Sequence, residues 1–133
     1  MSGDAIDLLV CKVECQELIF RHGAALDDGD APGGAALFVD DARIAGPDGT
    51  SRALADYWDR PRDTFTRFRP RVITNVVITP RTDVVAEGVA YVVMPHVPKL
   101  QWHYQFRRTD QGWRISSYEG TVVESTEASE SET

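Results

Sequence analysis

The strongest constraint in this sequence is one stretch, Leu100 to Thr121, which reads LQWHYQFRRTDQGWRISSYEGT. In its first half Trp102, Tyr104 and Phe106 alternate with Gln101, His103, Gln105 and Arg107. A period of two sends successive side chains to opposite faces of a strand, so this half is a β-strand with one aromatic face. Thr109-Asp110-Gln111-Gly112 is turn chemistry, and it predicts that Trp113 to Thr121 returns antiparallel as a hairpin. With an even-numbered loop, even positions of the first strand pair with odd positions of the second. Trp113, Ile115, Ser117 and Glu119 then join the aromatic face. A face that begins as aromatic core and ends in a hydroxyl and a carboxylate reads either as the wall of a pocket or as a polar strand end reaching solvent.

A partner for that face is supplied at the other end of the chain. From about Asp4 to Asp28 the pattern is helical, and Leu8, Cys11, Cys15, Leu18, Ile19, His22, Ala25 and Leu26 fall within one stripe. His22 sits in the middle of it. An unpaired buried polar group costs about 1–3 kcal/mol, so this histidine either bonds inside the core or faces a cavity. Cys11 and Cys15, four apart and without further Cys or His ligands nearby, read as core thiols.

Asp27-Asp28-Gly29-Asp30 ends the helix, with Asp30 placed to cap a short second helix containing Ala35 to Phe38. Gly46-Pro47-Asp48-Gly49 is a corner, after which Thr50 or Ser51 can cap a third helix from Arg52 to about Arg60. Arg60 to Arg71 holds five arginines and two phenylalanines. Asp56, Asp59 and Asp63 neutralise part of that charge, which makes the segment a solvated or subunit-contacting connector in preference to a nucleic-acid site. Two strands follow, Arg71 to Thr79 and Val84 to Met94, and Gly88 inside the second predicts a bulge or bend. His96, between prolines in a loop, reads as exposed.

The net charge of −7 belongs mostly to the end of the chain. The last ten residues, ESTEASESET, carry four Glu and no base, and without them 17 acids stand against 14 bases. The expectation is therefore one domain over residues 1–123 and an acidic disordered tail over 124–133. No run is apolar and long enough to span a bilayer, and acidic rather than basic residues open the chain. A cytoplasmic protein is expected, with no membrane and no nucleic acid among its partners. Glycine-rich phosphate loops, nucleophile elbows and metal-ligand clusters are all missing, so no cofactor and no metal are expected.

The pieces AALDDGD, ALFVDDARIAGPDG and FRRTDQGWRI, set along three helices and a curled sheet, resemble the nuclear transport factor two-like superfamily. Within it the sequence is similar to the SnoaL-like group of small cyclases, dehydratases and isomerases, from about Ile6 to Val123. The resemblance implies an α+β cone: three N-terminal helices packed in a strongly curved mixed or antiparallel sheet around an apolar pocket, commonly dimeric through the sheet. It also implies residue roles. His22 falls where ketosteroid isomerases place a tyrosine that donates to the substrate oxyanion, and Tyr104 falls on their second oxyanion-hole residue. Asp27 falls on a pocket aspartate of scytalone dehydratase, while Tyr57 and Trp58 fall on pocket aromatics of the isomerases. Gly46 replaces the isomerases' general base, and Val72 and Ala90 replace the dehydratase's histidines, so neither mechanism transfers whole.

The resulting expectation has His22, Asp27 and Tyr104 as catalytic candidates. Leu18, Leu26, Phe38, Tyr57 and Trp58 would line the pocket, together with Val72, Trp102 and Phe106, and with Ser117 and Glu119 toward its lip. The expected function is that of a cofactor-independent lyase, isomerase or cyclase moving protons on a hydrophobic, oxygenated small molecule. The alternative is a non-catalytic ligand-binding or dimerising accessory module of the same fold.

Overall fold

The computed structural model describes residues 3–123; the expected acidic tail lies outside the described residues. Helix α1 (Gly3–Asp28) is followed by the single turn α2 (Ala31–Ala35), then strands β1 (Phe38–Ala45) and β2 (Ser51–Ala53). Two short helices, α3 (Leu54–Trp58) and α4 (Asp63–Thr66), lead to β3 (Val72–Pro80), β4 (Val85–Val93), β5 (Leu100–Thr109) and β6 (Gly112–Val122). The strands form one curved sheet in the order β2-β1-β6-β5-β4-β3. It is mixed, because β1 runs parallel to β6 while the other neighbours are antiparallel.

The aromatic face of β5 is the floor of the core. Trp102, Tyr104 and Phe106 stand opposite Ala90, Gly88 and Ala86 of β4, so each large ring is paired with a small residue. This is the role of Gly88: a Cβ there would lie 2.8 Å from the Phe106 ring. The ladder runs through Gly88 in unbroken register, so no bulge lies at that position. The register shift lies in β3 instead, between Thr74 and Val77, where Asn75 adopts φ 56°. Asparagine tolerates that left-handed conformation better than most residues.

Across this floor lies α1, whose stripe is buried from Cys11 to Leu26. Leu8 was expected on the stripe and is 50% exposed. The reason is where the sheet stops: Glu14 accepts a hydrogen bond from the backbone N–H of Trp113, beside the β5–β6 turn, so earlier residues extend past the hairpin tip. Asp30 caps α2 as expected, its carboxylate accepting from the Gly33 N–H at 3.0 Å, but Phe38 opens β1 rather than closing a helix. The third helix is also shorter than expected, since Ser51–Ala53 pairs with β1 and Ala53 precedes α3 without a side-chain cap.

The hairpin departs from expectation at one residue. The loop is two residues long, and Arg108 pairs with Trp113 and Phe106 with Ile115, as parity requires. Next, however, Gln105 pairs with Ser117, which leaves Ser116 as the extra residue of a β-bulge. Beyond it the parity reverses. Tyr118 and Gly120 face inward opposite Tyr104 and Trp102, while Ser117 and Glu119 turn outward beside Gln105 and His103.

Candidate functional site

The inward turn of Tyr118 builds part of the wall of a cavity beside α1. About 410 Å³ of open space lies between α1, the α3–α4 segment, the end of β4 and the β5–β6 ladder. Its apolar wall includes Leu26, Phe65, Met94, Leu100 and Trp102, and Tyr57 and Tyr118 contribute phenol rings. Burial pushes the Tyr57 hydroxyl up to about 12 and that of Tyr118 well above its ordinary value. Both therefore stay protonated near neutral pH and can donate to an oxygen atom.

Behind this wall sits His22, fully buried. Its Nδ1 is 2.7 Å from the Tyr104 hydroxyl, the closest pairing of two sequence-predicted candidates in the structure. Rings enclose it on the other sides: Tyr118 at 4.6 Å, Trp102 at 5.2 Å and Phe38 at 5.4 Å between centroids. Its Nε2 has no hydrogen-bond partner. Desolvation first, and then the positive charge of Arg71, lower the His22 pKa to about 3, so the imidazole is neutral at ordinary pH. The imidazole touches Tyr118 and Trp102, which border the cavity, but is itself one ring removed from it.

Asp27 stands elsewhere. Its carboxylate accepts from the Arg71 guanidinium at 2.8 Å and from the Arg71 backbone N–H at 3.2 Å. A second Arg71 nitrogen donates to the Phe65 carbonyl, so the pair joins α1, α4 and the start of β3. The Arg71 side chain is only 6% exposed and that of Asp27 is 25% exposed. Breaking such a pair leaves a charge with poor solvation. Asp27→Ala is expected to cost about 1–3 kcal/mol, at the low end of buried-pair losses because one partner meets solvent. Urea unfolding would measure it, and an unchanged midpoint would show that the pair holds nothing together.

Of the expected lining, Leu26, Tyr57 and Trp102 border the cavity. Leu18, Phe38, Trp58 and Phe106 are buried in the core around it, Phe106 stacked on Tyr104 at 5.6 Å. Three expectations are corrected. Val72 is 57% exposed at the edge strand β3. Ser117 and Glu119 were carried outward by the Ser116 bulge and border a separate groove of about 250 Å³ with Glu87 and His103.

Sequence reasoning missed the cationic part of the site. Arg52, Arg60, Arg67 and Arg71 all border this cavity, so the segment read as a connector forms one side of it. The guanidinium of Arg60 lies 4.7 Å over the Tyr57 ring and 5.1 Å over the Phe65 ring. Arginine over aromatic rings is a signal the Arg60–Arg71 spacing carried, in its interleaved Phe65 and Phe68. No group of three or more His, Cys, Asp or Glu among the described residues could hold a metal ion. No helix among them is long and apolar enough to cross a membrane.

Helices packed in a curled mixed sheet, with a largely apolar cavity beside them, define the class of cone-shaped α+β small-molecule domains. The chain matches the SnoaL-like domain over residues 9–119 and belongs to that family, within the nuclear transport factor two-like superfamily. Solved structures share the fold at low identity. An NTF2-like protein with a cystatin-like fold from Novosphingobium aromaticivorans is 21% identical, with 97% of this chain and 92% of that one covered and a TM-score of 0.76. The hexachlorocyclohexane dehydrochlorinase LinA-type3 from Novosphingobium barchaimii is 15% identical, with 90% and 91% covered and a TM-score of 0.76. An NTF2-like protein of unknown function in nutrient uptake from Rhodospirillum rubrum is 18% identical, with 82% and 98% covered and a TM-score of 0.72. No curated protein sequence matches the chain.

Proposed function

We propose that the protein binds a hydrophobic, oxygenated small molecule in the cavity between α1 and the β5–β6 ladder. One observation carries this reading: about 410 Å³ of open space is walled by apolar side chains and two protonated phenols. That combination of an apolar surface with a few convergent polar groups is what ligand sites present. Tetralone, an apolar ketone, is a suitable probe. Calorimetry should give saturable binding at one site per chain, and Val97→Trp, placed on the cavity rim, should remove it. Absence of saturable binding, or binding indifferent to that substitution, would overturn the reading.

A second reading adds chemistry to the same pocket: a cofactor-independent lyase, isomerase or cyclase that transfers protons through His22 and Tyr104. It is favoured by the 2.7 Å contact between the two and by the fold shared with a dehydrochlorinase. In this reading Tyr118 swings aside to admit substrate to Nε2. Mass spectrometry in heavy water separates the two readings: a catalytic pocket exchanges the acidic C–H of bound tetralone, and His22→Gln abolishes exchange while binding persists. Binding without exchange leaves the carrier reading in place. The proposal places the protein in the cytoplasm as a homodimer through the sheet, supported by the exposed Val72, Val77 and Val93 on β3 and β4. Sedimentation of the same sample reads the dimer directly, and a monomer at micromolar concentration would remove it.

A further inference from the structure

We propose that the cavity selects apolar molecules bearing an anionic group, a carboxylate above all, and that Arg52 and Arg60 at its wall hold that group. This rests on the cavity being a ligand site and adds the charge of what it takes.

The charge balance of the wall is one-sided: four arginines against Asp48 alone. Each arginine can be followed to its partners. Arg71 is held by Asp27 and the Phe65 carbonyl. Arg67 lies over its neighbour Phe68, 4.7 Å from the ring centroid. Arg60 spends one donor, Nε, on the Tyr57 carbonyl at 3.0 Å and lies over two aromatic rings, which fixes its plane and leaves both terminal nitrogens available. Arg52 pairs through its backbone with Ile44 in the β1–β2 ladder, while its guanidinium makes no hydrogen bond or salt bridge to a described residue and feels Asp48 only through space. A planar guanidinium pinned at Nε presents the paired donors that match a carboxylate bidentately.

The electrostatics point the same way. Arg60 has its pKa lowered, chiefly by desolvation; Arg52 lowers it further, while Tyr57, Asp48 and Tyr118 act the other way, Tyr57 most strongly. Two cations facing one part-buried space repel each other, and an anion between them relieves both the repulsion and the lost hydration. The opposite wall of Met94, Leu100 and Trp102 has no charge and accommodates the hydrocarbon part. A neutral ligand of the same shape would fill the apolar half and leave the cations as they are.

Naphthoate and its neutral isostere naphthamide test this by calorimetry on the full chain. The carboxylate should bind the wild type about tenfold more tightly, the yield of one charge-assisted contact in a partly wet site. Added salt should narrow the gap. Arg60→Met and Arg52→Met, which keep much of the apolar stem, should each lower naphthoate affinity several-fold and leave naphthamide affinity unchanged. Equal affinities in the wild type, or variants that weaken both probes alike, would overturn the anion selectivity while leaving the pocket a ligand site. If neither probe bound, the ligand-site reading would fall as well, and with it this one.

Discussion

Trp102→Ala is expected to destabilise the fold by about 3–5 kcal/mol, the range for removing a large aromatic from a packed core. The indole is 1% exposed and stands opposite Ala90 and Gly120, residues too small to fill the space it would leave. It also contacts His22, Tyr104 and Tyr118, with centroids 5.2, 6.2 and 5.5 Å away, so three further rings lose a neighbour. Domains of this size have about 5–15 kcal/mol in all, and the variant should unfold at markedly lower urea. Trp102 has a second consequence because it borders the cavity. Its removal would extend that space toward His22, which packs against the indole, and let water reach the imidazole. A shift of less than about 1 kcal/mol in urea would show that the ring is not part of the core.

Much of the fold was legible because long elements repeat their signal. The α1 stripe marks its buried face at every turn, and the Trp102-Tyr104-Phe106 alternation marks that of β5. Single-residue events were harder. The Ser116 bulge reverses the parity of all that follows, and it placed Ser117 and Glu119 on the wrong face while hiding Tyr118. A sign of it is present in the sequence: large residues at 113 and 115 are followed by one at 118, which no unbroken strand can place on the same face. Gly88 was read as a bulge or bend because glycine in a strand signals a bulge, a bend or a close approach, and only the Phe106 ring packed against it shows the close approach. The arginines were read as a solvated or subunit-contacting connector because Asp56, Asp59 and Asp63 lie close to them in sequence, and the four-residue α4 offers no periodicity to say otherwise. Their position is set by tertiary contacts, among them the Asp27–Arg71 pair 44 residues apart in sequence, which no local pattern encodes.

Stability should fall as the pH drops below about 6.5, and His22 should be the cause. The folded protein lowers the His22 pKa to about 3 from 6.5, so the unfolded chain takes up this proton first. A group whose folded pKa is depressed gives its full stabilisation above the unfolded value and loses it on the way down to the folded one. Over that window the loss approaches ~1.4 kcal/mol per pH unit, or about 2 kcal/mol between pH 7 and pH 5. Burial dominates this shift: Nδ1 faces the Tyr104 hydroxyl and Nε2 has no protein hydrogen-bond partner among the described residues. His96 and His103 are exposed, and the exposed Asp41 and Asp48 have pKa values lowered from an ordinary 3.8, below this window. Urea unfolding at pH 7, 6 and 5 should therefore show the slope in the wild type and a nearly flat response in His22→Gln, which stays neutral and can still reach Tyr104. Equal slopes in the two proteins would mean that solvent reaches the imidazole in the folded state. That outcome would also change the chemistry open to it, because a base works best with its pKa near the working pH, and one that protonates only near pH 3 accepts a proton from carbon poorly. A steep slope accordingly favours the carrier reading for the resting protein, and ties any catalysis to the movement of Tyr118 that would hydrate His22.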